Sequence, residues 1–527
     1  MEYLLQHLLI NAAKGFPDKE AVVFKDERIS YRELDRLTDK LAATLRENGV
    51  KRGDRVAIYL NKSIPSVVCI LGILKAGAVY IPLDPNAPLQ RIAYIMENAG
   101  VRCLLASTRK VEKIGELQPG KGAPAVVIVT DGETAIPAGL PAKVISWDAV
   151  LRNEGVPTPA ASIGTDLAYI LYTSGSTGTP KGVMISHLNA LTFVNWSFDE
   201  FGLQPADRVS SHAPLHFDLS IFDIFTSIKA GATICLVPEE YSVFPRRLIR
   251  FIQDARITAW YSVPSILVHM LVHGSMSSFE FPALRQLLFA GEVFPVKYLR
   301  ELMRILPSVS FYNLYGPTET NVCTFHRVED LPEDQVRPVP IGRACGNTEV
   351  FALDENLQRI EEPHKKGELY VRGSIVAQGY WGDRQKTEAH FVPNIFISEY
   401  QDRMYRTGDI VFLDERGDYH LVGRRDHMIK SRGYRIELGE IETNLCSHPE
   451  VKEAVVVAIP DELITNRLKA LVVPLKKGSI GAGELEKFLA ERIPGYMVPG
   501  EIAFVESLPK VSTGKIDRKM LSDKRVG

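Results

Sequence analysis

The chain has 527 residues, 45% of them hydrophobic and 24% charged. At about 150 residues per domain this makes about three or four domain-sized units, and the balance excludes a disordered, collagenous or coiled-coil chain. Lys and Arg total 62 against 64 Asp and Glu, a net charge of −2, whereas a protein that grips phosphate backbones is usually basic, so no nucleic-acid partner is expected.

From the N-terminus, residues 1–15 carry Glu2 and His7 without a basic n-region and are not read as a signal peptide. Residues 55–60 form an apolar run expected as a buried strand. A helix follows, with Pro65 near its start and Gly77 past its end. Its run 67–74 is the most apolar of the chain, yet far short of the roughly 18 residues a membrane span needs. The Gly/Pro-rich stretch 119–159 is expected as a surface excursion. Residues 167–172 are a short apolar run ending in a Gly/Ser/Thr loop, and 187–201 have helical spacing. Residues 233–237 read as strand, 246–255 as helix and 259–262 as strand. This alternation argues an α/β fold with mostly parallel sheets covered by helices. Residues 349–380 change to short strands separated by turns, a small β-rich or barrel-like layer.

The charge-dense Gly423-Arg-Arg-Asp-His427 marks a boundary. Beyond it lie helices at 438–445 and 482–492 and strands at 454–459 and 470–474, enough for a small α+β domain of about 100 residues. The expected domains are therefore 1–425 and 426–527. The six cysteines (Cys69, Cys103, Cys235, Cys323, Cys345, Cys446) form no Cys-x-x-Cys pair. They read as reduced thiols of a cytoplasmic protein without a disulfide framework or zinc site.

Five segments carry chemistry. Tyr172-Thr-Ser-Gly-Ser-Thr-Gly-Thr-Pro-Lys-Gly-Val183 follows the strand at 167–172. Its glycines let backbone N–H groups approach phosphate oxygens, and its hydroxyls and Lys181 add donors. It is not a kinase P-loop, because Lys181 is followed by Gly182 rather than Ser or Thr. Alone, such a run is as often a flexible turn. In Asn313-Leu-Tyr-Gly-Pro-Thr-Glu319, Tyr315 could stack on a base and Glu319 could hold Mg²⁺. In Tyr405-Arg-Thr-Gly-Asp409, Asp409 could take both hydroxyls of a ribose, although an Asp after Gly is usually a turn residue. Residues 423–437 form a basic loop, most often a solvated face. Ser512-Thr-Gly-Lys-Ile-Asp-Arg518 puts Lys515 in a glycine-flexed loop.

In this order and spacing, with Ser30-Tyr-Arg-Glu-Leu34, Leu74-Lys-Ala-Gly-Ala-Val-Tyr-Ile-Pro-Leu-Asp-Pro85 and Gly367-Glu-Leu369, the chain resembles the adenylate-forming superfamily. That superfamily comprises acyl-CoA synthetases, luciferases and peptide-synthetase adenylation domains, and the resemblance covers essentially the whole chain. The Leu-Lys-Ala-Gly-Ala, Tyr-Gly-Pro-Thr-Glu and Gly-Lys-Ile-Asp-Arg forms look most like amino-acid-activating members. The resemblance implies two half-reactions. A carboxylate attacks the α-phosphate of Mg·ATP, giving an acyl adenylate and pyrophosphate; a thiol then takes the acyl group and releases AMP. It implies that Thr173, Ser174, Gly175, Ser176, Thr177, Gly178 and Lys181 fold over the β- and γ-phosphates. Tyr315 and Gly316 would flank adenine, Asp409 and Arg424 hold the ribose, Lys430 join the nucleotide site, and Thr318 and Glu319 serve phosphate and Mg²⁺. Lys515 would be the main catalytic residue, bridging the substrate carboxylate and the nucleotide. The small domain would then rotate about Asp426, carrying Lys515 away and bringing the loop around Gly433 to the site.

His216-Phe-Asp-Leu-Ser-Ile-Phe-Asp223 resembles the substrate-lining motif of amino-acid-activating members, with Asp218 matching the aspartate that pairs with the α-ammonium. A buried carboxylate with no cation is costly, so substrates lacking the ammonium are disfavoured; a helix-capping role for Asp218 is the bland alternative. The rest of the implied lining is Phe217, Leu219, Phe222, Ser265, Leu288, Ala290, Gly291, Leu314, Val322 and Cys323. It is mostly apolar, suits a small or medium apolar side chain, and is similar to the lining of free-standing prolyl–carrier-protein ligases. Ser265 departs from that pattern, where an aromatic residue is expected. No Gly-Gly-x-Ser attachment sequence occurs, so a separate phosphopantetheinylated carrier protein is the expected acceptor, ahead of coenzyme A. An acyl- or aryl-CoA ligase and a non-catalytic nucleotide-binding protein stand as alternatives.

Overall fold

A computed structural model describes residues 2–116, 123–131, 142–155, 161–175, 178–425, 428–476, 478–509 and 521. Among these, one large sheet runs Gly379–Tyr380, Lys181–Ser186, Leu167–Thr173, Val79–Pro82, Arg55–Tyr59, Cys103–Ala106, Val126–Val129, Lys143–Ser146. From Leu167–Thr173 onward its neighbours pair parallel. A second large sheet runs Arg343–Ala344, Thr324–Val328, Ser310–Tyr315, Gln286–Ala290, Ala259–Ser262, Arg208–Ser211, Thr233–Leu236, Glu20–Phe24, Glu27–Ser30, parallel in its middle and antiparallel at its ends. The expected β-rich layer is an antiparallel sheet built on Thr348–Leu353, Lys366–Gly373, Arg403–Leu413 and Tyr419–Arg424.

Local sequence explains the helices between the sheets. Tyr31–Glu47 starts at a capping box in which Ser30 accepts from the Glu33 N–H and Glu33 reaches back. Ile64–Lys75 starts at Ser63 with Pro65 in its first turn. Every described residue of Ile64–Lys75 except Pro65 is buried, the fate of a helix apolar all round. No described helix is long and apolar enough to cross a membrane.

The stretch 119–159 differs from its expectation. Its described parts supply the strands Val126–Val129 and Lys143–Ser146 and the helix Trp147–Arg152. Val126–Val129 is buried throughout and pairs parallel with Cys103–Ala106. Four consecutive β-branched residues outweigh the Gly and Pro around them.

After residue 427 the chain forms a hairpin, Met428–Ser431 with Tyr434–Glu437, and a sheet of Val451–Asp461, Thr465–Pro474 and Glu501–Phe504. The helices Leu438–Cys446 and Ala482–Ala490 pack on it around a core that includes Ile436, Ile441, Leu445, Val472, Leu485 and Met497. Asp426, the expected hinge, lies outside the described residues, as do Lys515, Ser176 and Thr177.

Candidate active site

Each large sheet delivers different side chains to one cavity. The end of Leu167–Thr173 and the loop from it to Lys181–Ser186 supply Thr173 and Ser174. Gly175 is obligatory in this loop, because a Cβ there would lie 2.1 Å from the Thr179 carbonyl oxygen. At the loop's far end Lys181 is buried, its Nζ 3.0 Å from Glu319 Oε1 and 3.3 Å from the Tyr380 hydroxyl. Burial, reinforced by Arg435, pulls the Lys181 ammonium down to about 8 despite Glu319.

Glu319 is fully buried and fully engaged. Its Oε1 also accepts from the Tyr380 hydroxyl at 2.7 Å, and its Oε2 takes Arg435 Nη1 at 2.8 Å. Burial alone would raise its carboxyl, but Arg435 and Lys181 outweigh burial and hold it well below the usual carboxylate range. The antiparallel layer brings Asp409, which accepts from Arg424 Nη1 at 2.8 Å and from the Tyr315 hydroxyl. Lys430 Nζ stands 5.9 Å over the Tyr315 ring. A second cavity shares Gly291, Asp409, Arg424 and Lys430 with the first and is also lined by Tyr315.

The other wall is apolar with one acid. Phe217, Asp218, Leu219, Ala290, Gly291 and Val322, of the implied substrate lining, line the first cavity, as do Gly316 and Thr318, which the resemblance gives to the nucleotide. Burial pushes the Asp218 carboxyl up, offset in part by the Thr318 hydroxyl and by Lys430. Phe222, Leu288, Leu314 and Cys323 are fully buried and back this wall rather than face the cavity.

Ser265 is not on the wall. It sits in the first turn of the helix Pro264–Gly274, and its N–H donates to Glu292 Oε2 at 3.0 Å. Tyr261 lines the cavity instead, edge-on to Phe222 at 5.6 Å. Strand alternation is the reason. Tyr261 pairs with Leu288 across parallel strands, and Ala259, Tyr261, Leu288, Ala290 and Leu314 all face one core. Trp260, Leu287 and Phe289 face the other. The aromatic residue expected at Ser265 is thus present four residues earlier. The period-two register was legible in residues 259–262, but the motif match did not extend that far.

The hairpin beyond residue 427 closes the cavity. Arg432 and Gly433 form its two-residue turn, with φ of 51° and 78°. The Gly433 N–H donates to Glu292 Oε1 at 2.7 Å. Tyr434 and Tyr496 stack with centroids 3.6 Å apart, and Phe217 meets Tyr434 edge-on at 5.0 Å. The structure therefore brings the Gly433 loop to the site. Arg435, Tyr380, Glu292 and Glu440 were not singled out from sequence; a lone Glu, Tyr or Arg carries no spacing signal.

A glycine loop ending in the buried Lys181, Asp409 held by Arg424 and Tyr315, and a mostly apolar wall bearing Asp218 thus meet in one place. The chain belongs to the AMP-binding enzyme family: that family matches residues 9–381, and the AMP-binding enzyme C-terminal domain matches residues 440–515. It is 38% identical over 519 residues to an L-proline--[L-prolyl-carrier protein] ligase of Pseudomonas fluorescens, covering 98% of this chain and 99% of that one. It is 38% identical over 500 residues to the protein of the same name from Streptomyces coelicolor, covering 94% and 91%. Among solved structures, IdnL1 superposes with a TM-score of 0.81 at 27% identity, covering 96% of this chain and 98% of that one.

Proposed function

We propose that this protein activates an amino acid, proline before other small apolar ones, as its aminoacyl adenylate, and passes it to the phosphopantetheine thiol of a separate carrier protein. The observation that carries the reading is the Asp218 carboxylate on the cavity wall that Phe217, Leu219, Tyr261, Ala290 and Val322 make mostly apolar. A carboxylate there has its best partner in a substrate ammonium. The aromatic wall and the buried Leu288, Leu314 and Phe222 behind it suit a compact ring. The two prolyl-carrier protein ligases at 38% identity support the same choice.

ATP is the second substrate. Lys181 and the N–H groups of the 173–181 loop are the donors for its β- and γ-phosphates, and Asp409 with Arg424 is the ribose clamp. Mg²⁺ would supply charge neutralisation at the phosphates, and Glu319 is the carboxylate for it once Arg435 has moved away. Lys515, on a small unit spanning 426–527 and hinged at Asp426, is the catalytic cation that meets the substrate carboxylate. The dispersed cysteines, five of them buried, fit a cytoplasmic setting.

The test is ATP–pyrophosphate exchange over a panel of the common amino acids, D- and β-amino acids, and fatty and aryl acids. Exchange with proline or another small apolar amino acid supports the reading. Exchange only with acids lacking an amine refutes it in favour of a CoA ligase, and silence with intact ATP binding points to a non-catalytic nucleotide binder.

A further inference from the structure

The helix Leu438–Cys446 presses on the phosphate loop. A Cβ at Gly178 would lie 2.8 Å from Thr443 Cγ2, so the Thr443 side chain packs directly on the loop backbone. Glu440, in the first turn of this helix, is 1% exposed. Its Oε1 pairs with Arg91 Nη1 at 2.5 Å, and its Oε2 accepts the Gly175 N–H at 3.1 Å. One residue earlier in the loop, the Ser174 hydroxyl donates to the Arg435 carbonyl oxygen at 2.6 Å. At the loop's end Lys181 is turned onto Glu319, and Arg435 shares that carboxylate. In this arrangement Gly175 N–H, the Ser174 hydroxyl and Lys181 are engaged by protein oxygens. The carboxylate on a glycine-loop N–H is the geometry of a bound anion.

We propose that Glu440 is a positioning residue for the thiol-transfer half-reaction: its carboxylate stands in for pyrophosphate on the phosphate loop, so this seating of the small unit forms only after pyrophosphate has left. The proposal rests on the functional reading above. Pyrophosphate and Glu440 compete for the same backbone donor. Arg91, a cation from the large unit, holds the carboxylate in place once the phosphates are gone and gives the loop a partner in both states. The order of events follows from this exclusion. With the triphosphate bound, Glu440 has no access to Gly175. With pyrophosphate released, Glu440 caps the loop, and the hairpin carrying Gly433 seats on Glu292.

The test needs no acyl substrate. Dyes are placed on Cys446, the exposed cysteine, and on Lys51→Cys on the large unit; Cys69, Cys103, Cys235, Cys323 and Cys345 are buried. Inorganic pyrophosphate with Mg²⁺ is then titrated while energy transfer is read. In the wild-type chain pyrophosphate shifts the energy transfer. In Glu440→Gln the midpoint falls about tenfold in pyrophosphate concentration, the scale of one charge-assisted hydrogen bond. Arg91→Lys, which weakens the same pair from the other side, shifts the midpoint the same way. In parallel, Glu440→Gln slows single-turnover transfer from preformed adenylate to the carrier about tenfold and leaves ATP–pyrophosphate exchange within about twofold. An identical midpoint in wild type and both variants overturns the proposal, as does equal slowing of exchange and transfer. A wild-type chain that transfers no amino acid to any acceptor refutes the functional reading instead, and the pyrophosphate titration still decides the role of Glu440.

Discussion

Asp218→Ala removes the one carboxylate on the apolar wall. Breaking a buried ion pair by deleting one partner costs about 3–5 kcal/mol. Two features of the site argue for the lower end. Asp218 faces the cavity, and Lys430 already offsets part of its charge. About 3 kcal/mol corresponds to a roughly 150-fold loss in kcat/KM. The loss should appear with proline and shrink to within about threefold with cyclopentanecarboxylic acid, which keeps the ring and carboxylate but has no ammonium to pair. The assay is ATP–pyrophosphate exchange at subsaturating acid, run on wild type and variant with both acids. Equal losses with the two acids would mean that Asp218 supports the fold and does not read the substrate, and the choice of an amino acid would lose its physical basis.

Lys515→Ala should lower adenylation by roughly 10²–10³, the scale of one preorganised electrostatic group, while transfer from preformed adenylate persists; equal loss of both steps, measured by exchange and by single-turnover transfer, refutes the two-orientation scheme. Tyr261→Ala should open the aromatic wall and move the exchange preference from proline toward larger apolar side chains, whereas an unchanged ranking would remove Tyr261 from the pocket. The Lys181 ammonium, depressed to about 8, is charged below that pH and neutral above it. kcat/KM for ATP, which reports the free enzyme, should therefore fall as pH rises through about 8. Lys181→Arg, which stays charged, should flatten that limb, and a limb that stays put would assign it to another group.

Much of this architecture is legible before any coordinates. The helix His187–Phe201 and the strand Ala259–Ser262 fall where spacing puts them, because capping serines and period-two alternation are local signals. The large fold and the adenylate-forming class followed from motif order. Two kinds of feature stayed hidden. Val126–Val129 was masked by the Gly and Pro around it, since a four-residue strand has too few positions to show a period. The pocket wall was misplaced at Ser265, because which residue faces a cavity depends on register between strands, and Tyr261 is fixed by its pairing with Leu288. Glu319 was visible within its motif, but its engagement by Arg435 from about 116 residues later is a tertiary fact that no local pattern carries.

On the proposed function, the walls that read the acid come from the strands Ala259–Ser262 and Gln286–Ala290 and the chain segments beside them, the phosphate loop from the strands of the other large sheet, and the ribose clamp from the antiparallel layer. The acid pocket and the phosphate loop therefore have separate foundations. A swap at Tyr261 or Ala290 changes the shape of one wall while the strands beneath the phosphate loop stay as they are. Such a scaffold can change its acid by a few exchanges on one sheet while the phosphate loop, on the other, keeps its footing.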